Sequence, residues 1–328
     1  MDRRKRYTAL FAMLALTAGL AAWSTASAQA YPARPIRFVI PYPPGGASDV
    51  TARTLGAKMA ETWGQQVLVD NRAGANGIIA LELAAKAPPD GYTILMANLG
   101  PNAINPSVYT KLPYDPIKDF SPVTLTTLVP QLLVVHPSLP AKSVQELVAL
   151  AKTRPTQLSF ASAGIGASNH LSGELFRMMA GIKLTHVPYK GDTPAMTDII
   201  AGQVAIMFPT AIAATPHVKS AKLRALAATS AKRIASMPDL PTVAESGIAG
   251  FEAVSWGGVM APAGTPKDIV AKLHAEITRI LGLPDVRERL SGLGAEIVAS
   301  TPAEFAAYLR SEIDKWSKVA RAANVKLD

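Results

Sequence analysis

The sequence predicts an α/β protein built from two successive strand–helix units. Short apolar, β-branched runs alternate with stretches of helical spacing, the pattern of a sheet covered by helices. The alternation starts again from Leu132, so a second unit follows the first. Nearly 300 residues remain after an N-terminal export signal, about enough for two domains.

That signal occupies residues 1–30. Arg3, Arg4, Lys5 and Arg6 form a basic start, an apolar run follows from Tyr7 to Ala22, and Ala28-Gln29-Ala30 is a small-residue cleavage pattern. The run is shorter than the roughly 20 residues a membrane span needs. Cleavage after Ala30 and a periplasmic mature protein are expected. An uncleaved anchor is the alternative, and the Arg3-Arg4 pair hints at a twin-arginine route. Cysteine is absent, so neither disulfides nor thiol chemistry is expected. The chain is basic, +9 at full length, but its basic residues are scattered and no run is denser than Lys232-Arg233. That pattern suits surface solvation, or at most an anionic ligand, and argues against nucleic acid, which needs a clustered patch.

In the first unit, Arg37–Tyr42, Gln66–Asp70 and Thr93–Ala97 read as strands. Asp49–Trp63 and Ile78–Ala87 have helical spacing between them. In the second, Leu132–His136, Leu158–Ala161, Leu184–Val187, Val204–Phe208 and Leu223–Thr229 read as strands. Val144–Lys152, Leu171–Ala180 and Pro194–Ala201 read as helices. The C-terminal part is helical over Pro266–Leu281, Pro284–Leu290 and Pro302–Ala323, each opened by proline, which suits a first helical turn. No low-complexity linker separates the units, which points to a tight connection.

Chemistry is expected at the strand-to-helix joints, because ligands of open α/β sheets bind outside the carboxyl ends of the strands. The first joint is Pro43-Pro44-Gly45-Gly46-Ala47-Ser48-Asp49. A helix start leaves several N–H groups without partners and carries partial positive charge. Gly45 and Gly46 let an anion approach those amides, and Asp49 is placed to cap or complement the helix dipole. The competing reading is a tight turn whose glycines serve only the backbone. The second joint, Ser162-Ala163-Gly164-Ile165-Gly166-Ala167-Ser168-Asn169-His170, has the same grammar. It matches neither a dinucleotide nor a phosphate loop. Two helix starts facing across a cleft would grip one carboxylate from both sides. A third joint, His186–Pro194, carries Tyr189, Lys190 and Thr193; a fourth, Asn98–Ala103, carries Asn98 and Asn102.

Catalytic signatures are missing. There is no G-x-S-x-G elbow and no convincing metal-ligand spacing among the five histidines. His170 is the best candidate base, but its neighbour Ser168 points elsewhere on a helix start, and a loop-stabilising role is the simpler reading.

The joints and several further runs together resemble the tripartite tricarboxylate transporter substrate-binding receptors, the Bug or TctC family. The matching runs include Pro44-Gly45-Gly46 with Asp49, Val69–Ala75, Pro89–Thr93, Asp119–Val123, Ser162–Leu171, His186–Gly191, Pro241–Glu245 and Ala261–Pro266. The resemblance runs in order from about Arg34 to the C-terminus. It implies a type II periplasmic binding protein: two α/β domains joined by two crossover strands, with the ligand between them. The first domain would be residues 31–129 with 250–328, and the second 130–249. A ligand carboxylate would be held by the loop Gly45, Gly46, Ala47, Ser48, Asp49 and by Ser162, Gly164, Gly166, Ala167, Ser168 and His170. Tyr42, Asn98, Asn102, Tyr189, Thr193 and Phe208 follow strand ends and are the candidates for selectivity. Many relatives carry aspartate at the position of Pro209 and histidine at that of Asn102; the first departure disfavours an amino-acid ligand. The resemblance further implies a monomeric, non-catalytic receptor without cofactor or metal, serving a two-subunit membrane transporter. A ligand-presenting partner of a membrane sensor kinase, or a hydrolase or isomerase on the same cleft fold, are the alternatives.

Overall fold

A computed structural model describes residues 31–292, 294–322 and 324–327. The expected export signal, residues 1–30, lies outside them.

The first unit is parallel at its centre. Strand β1 (Ile36–Ile40) lies between β2 (Val67–Asn71) and β3 (Thr93–Asn98), paired parallel to both. Its IRFVI run is almost wholly buried, as a strand covered on both faces requires. The connections are α1 (Ala47–Trp63) and α2 (Ile78–Ala85). A π turn at Gly100–Ile104 and the short α3 (Asn105–Val108) follow β3.

Two long strands complete this sheet. They are β4 (Phe120–Pro130) and β10 (Val254–Pro262), antiparallel to each other, with β11 (Glu296–Ile297) at the edge. The order is β11-β4-β10-β3-β1-β2. Neither β4 nor β10 is evident from residue pattern. Pro122 interrupts one and Gly257-Gly258 the other, and such residues weaken a strand reading. The ladder accommodates them with register shifts at Gly257/Gly258 and Val259/Met260. Gly258 is a packing requirement: a Cβ there would lie 2.4 Å from the ring of Phe305.

The second sheet has β5 (Leu132–Val135), β6 (Ser159–Ser162), β7 (Thr185–Pro188), β8 (Ile206–Met207) and β9 (Arg224–Ala228), in the order β7-β6-β8-β5-β9. Its helices are α4 (Val144–Thr153), α5 (Ser168–Ala180), α6 (Asp192–Ile200) and α7 (Ala211–Lys219). The sequence-expected strand Val204–Phe208 shrinks to two residues. Helix α7 is missed by pattern because Pro216 lies inside it. The chain then returns along β10 to α8 (Lys267–Leu281), α9 (Pro284–Gly292) and α10 (Pro302–Ala322).

From Arg34 onward the described residues form one compact unit. A continuous apolar core runs from Leu95 and Trp256 in the first sheet to Phe160 and Phe176 beside the second. Helix α8 contributes the stripe Leu273, Ile277, Ile280 and Leu281, spaced to share one face. Glu312 of α10 is buried, yet it accepts the indole N–H of both Trp256 (3.2 Å) and Trp316 (2.9 Å), so its polarity is satisfied. The chain passes between the sheets at Gln131 and again before Val254. Thr229 ties the two passages: its hydroxyl accepts from Gln131 N (2.8 Å) and donates to Ala253 O (2.6 Å).

Candidate ligand-binding site

Four helix starts surround one cavity. Its wall contains Gly46–Asp49 at the start of α1, Ala167–Asn169 at α5, Asp192 and Thr193 at α6, and Thr210 before α7. Tyr42, Asn98 and Ser255 complete the polar lining. The N-cap residues are Gly46, Ala167, Gly191 and Thr210, and none places a side chain on its helix's first amides. Glycine and alanine cannot cap, so the orphan N–H groups of α1 and α5 keep their capacity for an anion. Thr210 has a hydroxyl, but it accepts no helix amide. Thr210 is only 7% exposed, and its buried hydroxyl has no hydrogen-bond partner among the described residues. The same holds for the buried Oε1 of Gln131, whose Nε2 donates to Ser168 Oγ at 3.1 Å.

The cavity is narrow, about 460 Å³ of empty space including its mouth. Contacts between the two sheets' loops hold it so. Thr193 Oγ1 donates to Pro44 O at 2.9 Å, and Pro43 packs where a Cβ on Gly191 would lie 2.7 Å from its ring.

The joints share a construction that residue pattern alone does not reveal. In three of the four, a loop amide donates to a side chain four residues on. Gly45 N donates to Asp49 Oδ2 (3.0 Å), Asn98 N to Asn102 Oδ1 (2.9 Å), and Gly166 N to His170 Nδ1 (3.0 Å). Asp49, Asn102 and His170 thus brace the loops from behind. Asp49 also borders the cavity, but its charge is engaged by Arg53 (3.0 Å) and by Asn71 Nδ2 (3.0 Å). These bonds hold its carboxyl below the usual range despite partial burial, which acts the other way. Asn102 is fully buried and supports Asn98, whose Nδ2 reaches Ser48 Oγ at 3.1 Å.

His170 is a core histidine. Its ring stacks on His186 at 3.9 Å, and burial, with the neighbouring His186, pushes its pKa down to about 3. Because Nδ1 accepts from Gly166, the proton sits on Nε2. His186 in turn meets Ser162 Oγ at 2.6 Å, so Ser162 is part of this support.

The other expected residues divide. Tyr42, Gly46, Ala47, Ser48, Asp49, Asn98, Ala167, Ser168 and Thr193 meet at the cavity. Gly45, with φ +93°, forms the turn that Asp49 closes. Gly164 and Tyr189 border a neighbouring cavity with Lys190, and the Tyr189 hydroxyl is committed to Asp198 at 2.7 Å. Gly166 faces Val108 and Asn76 instead. Phe208 is wholly buried against Phe176, ring centres 5.5 Å apart, so the expectation that it contacts a ligand is corrected: the strand ends before it and its ring turns inward.

Residue reasoning did not select Asp192, Thr210, Ser255 or Gln131. Asp192 stands in the third joint next to Gly191, a signal that was available. Thr210 precedes the helix that Pro216 obscures, and Ser255 lies on a strand without strand pattern.

Comparison with known proteins places this geometry. The model of the tripartite tricarboxylate transporter family receptor matches residues 51–325. The chain is 39% identical to protein BugT of Bordetella pertussis over 323 residues, 98% of each chain. It is similar to the structure of Rpa4515 of R. palustris with adipate, with a TM-score of 0.88 and 39% identity over 90% of this chain and 99% of that one. It is also similar to MatC (Rpa3494) of Rhodopseudomonas palustris with bound malate, with a TM-score of 0.84 and 36% identity over 88% and 99%. The sequence resemblance and the fold class it implied therefore stand: this chain is a member of the tripartite tricarboxylate transporter receptor family, with the fold of its periplasmic solute-binding proteins.

Proposed function

We propose that the protein captures a small carboxylate solute in the periplasm and delivers it to a two-subunit tripartite tricarboxylate membrane transporter, without chemical conversion and as a monomer. The observation that carries the reading is the convergence of uncapped helix starts on one cavity that also holds the unpartnered Thr210 hydroxyl. Amides of α1 and α5 hold one carboxylate from opposite sides, and hydroxyls of Ser48, Ser168 and Thr210 complete its shell. Residues 31–129 with 250–328 act as one lobe and 130–249 as the other, turning about the Gln131–Thr229–Ala253 tie. Hinge closure around a ligand is an established response of two-lobed binders. The Thr193–Pro44 bond, which joins loops of the two sheets beside the cavity, supports this reading. The adipate and malate of the related structures are both carboxylates, which agrees with this reading.

Titration calorimetry against adipate, malate, and their uncharged amides tests it. Heat from acids alone is the expected result. Equal binding of the amides removes the carboxylate site. Uptake in reconstituted vesicles, with and without the receptor, tests the hand-over.

A further inference from the structure

Asp192 is the odd group in this cavity. It stands at the first turn of α6 and lines the space in which an anion is to be held. Its Oδ1 accepts from Asn169 Nδ2 at 2.6 Å. No ion pair to it exists among the described residues, and Asn169 is its only hydrogen-bond partner there. Its Oδ2 lies 4.0 Å from where a Cβ on Gly46 would stand, so it faces the bare start of α1. A carboxylate placed beside a carboxylate site repels a purely anionic ligand, unless something between them donates a hydrogen bond. Nothing in the wall fills that place with a positive charge. The titratable groups around it are Tyr42, whose hydroxyl reaches Asn76 Oδ1 at 3.3 Å, Asp49, which is paired with Arg53, and His217, which borders a neighbouring cavity with Asp192.

We propose that Asp192 sets the solute's chemistry: the ligand carries, close to the carboxylate held by the helix starts, a hydroxyl or ammonium group that donates to Asp192 Oδ2. This rests on the carboxylate reading above and narrows it to donor-bearing acids. A plain acid leaves two like charges facing each other across the cavity, with a C–H group between them. A hydroxyl or ammonium turns the same carboxylate into an acceptor of a charge-assisted bond. Burial pushes the Asp192 carboxyl up to about 6, although the bond from Asn169 acts the other way.

Calorimetry at pH 7.5 on matched sets decides it: succinate, malate and aspartate; propionate, lactate and alanine; phenylacetate, mandelate and phenylglycine. Within a set that binds, at least one donor-bearing member is expected to bind about tenfold or more tightly than the plain acid, as one charge-assisted bond allows. The Asp192→Asn variant, which keeps an acceptor for Asn169, is expected to lose most of that preference and to bind the plain acid better. A stronger loss for the amine than for the alcohol identifies an ammonium partner; equal losses identify a hydroxyl. Two results overturn the proposal while leaving the carboxylate site intact: a plain acid binding as tightly as both derivatives, or a preference unchanged in Asp192→Asn. Failure of every acid to bind overturns the proposal together with the reading beneath it.

Discussion

Two helix starts away from the cavity, those of α4 and α10, are built differently from the four that border it, while α2 and α8 start without a side-chain cap as those four do. Away from it, α4 begins with Ser143, whose hydroxyl accepts from Glu146 N (3.1 Å) while Glu146 Oε2 accepts from Lys142 N (2.7 Å). Helix α10 is preceded by Thr301, which accepts from Glu304 N (3.2 Å) and donates its own N–H to Glu304 (2.8 Å). Both are reciprocal caps that satisfy the helix start internally. At the cavity, Gly46 and Ala167 stand where such a serine or threonine would, and the amides stay bare. A cap is worth about 1 kcal/mol to a fold. Leaving it out at α1 and α5 forgoes stability where an external anion is to supply the bonds.

The contrast can be broken most sharply by filling the space in front of α1. Gly46 has φ −82°, an angle any residue adopts, and a Cβ there meets only Asp192 Oδ2 at 4.0 Å. Gly46→Val is expected to fold normally and to lower carboxylate affinity on the order of 100-fold, the loss of one or two charge-assisted bonds. Calorimetry beside a melting curve checks both halves. Ala167→Asp attacks from the other side by supplying the anion within the chain. Roughly tenfold weaker binding or worse is expected, because the new carboxylate occupies the α5 amides and adds negative charge near Asp192.

Asp192→Asn sharpens the same contrast through stability. The folded-state value of about 6 lies above the ordinary aspartate value of 3.8. The folded protein therefore holds the Asp192 proton more tightly than the unfolded chain does. The associated stability is present below about pH 4 and is lost as pH rises through 6. At pH 7.5 the variant is expected to be more stable by up to about 2–3 kcal/mol, and by almost nothing at pH 4. Denaturant melts at the two pH values measure this. Ser143→Ala is the smallest change: about 1 kcal/mol of stability lost, with carboxylate affinity unaltered. A matching affinity loss there would erase the distinction between the two kinds of helix start.

Much of this was legible in the sequence, for reasons that also mark where legibility ended. Buried parallel strands such as β1 and β3 are apolar runs, and helices such as α1 and α8 carry periodic faces, so the alternating units stand out. The strands linking the sheets do not, because Pro122 and Gly257-Gly258 answer to packing on Phe305 and to bulges instead of strand propensity. The cleft loops were legible because a glycine-rich joint after a strand has a physical meaning on its own. Which side chains face inward was not. Residues four apart fold back onto their own loop, which moved Asn102 and His170 behind the wall, and the strand's end at Met207 leaves Phe208 packed on Phe176 in the core. The departure at Pro209 argued against an acidic partner for the ligand; Asp192 brings one to the cavity from a different element.

The most direct measurement is a crystal structure of the complex with whichever acid binds tightest by calorimetry. The account expects one ligand carboxylate with its oxygens about 3 Å from main-chain nitrogens at the starts of both α1 and α5. A carboxylate lodged instead beside Lys190 in the neighbouring cavity, with those amides untouched, would contradict it.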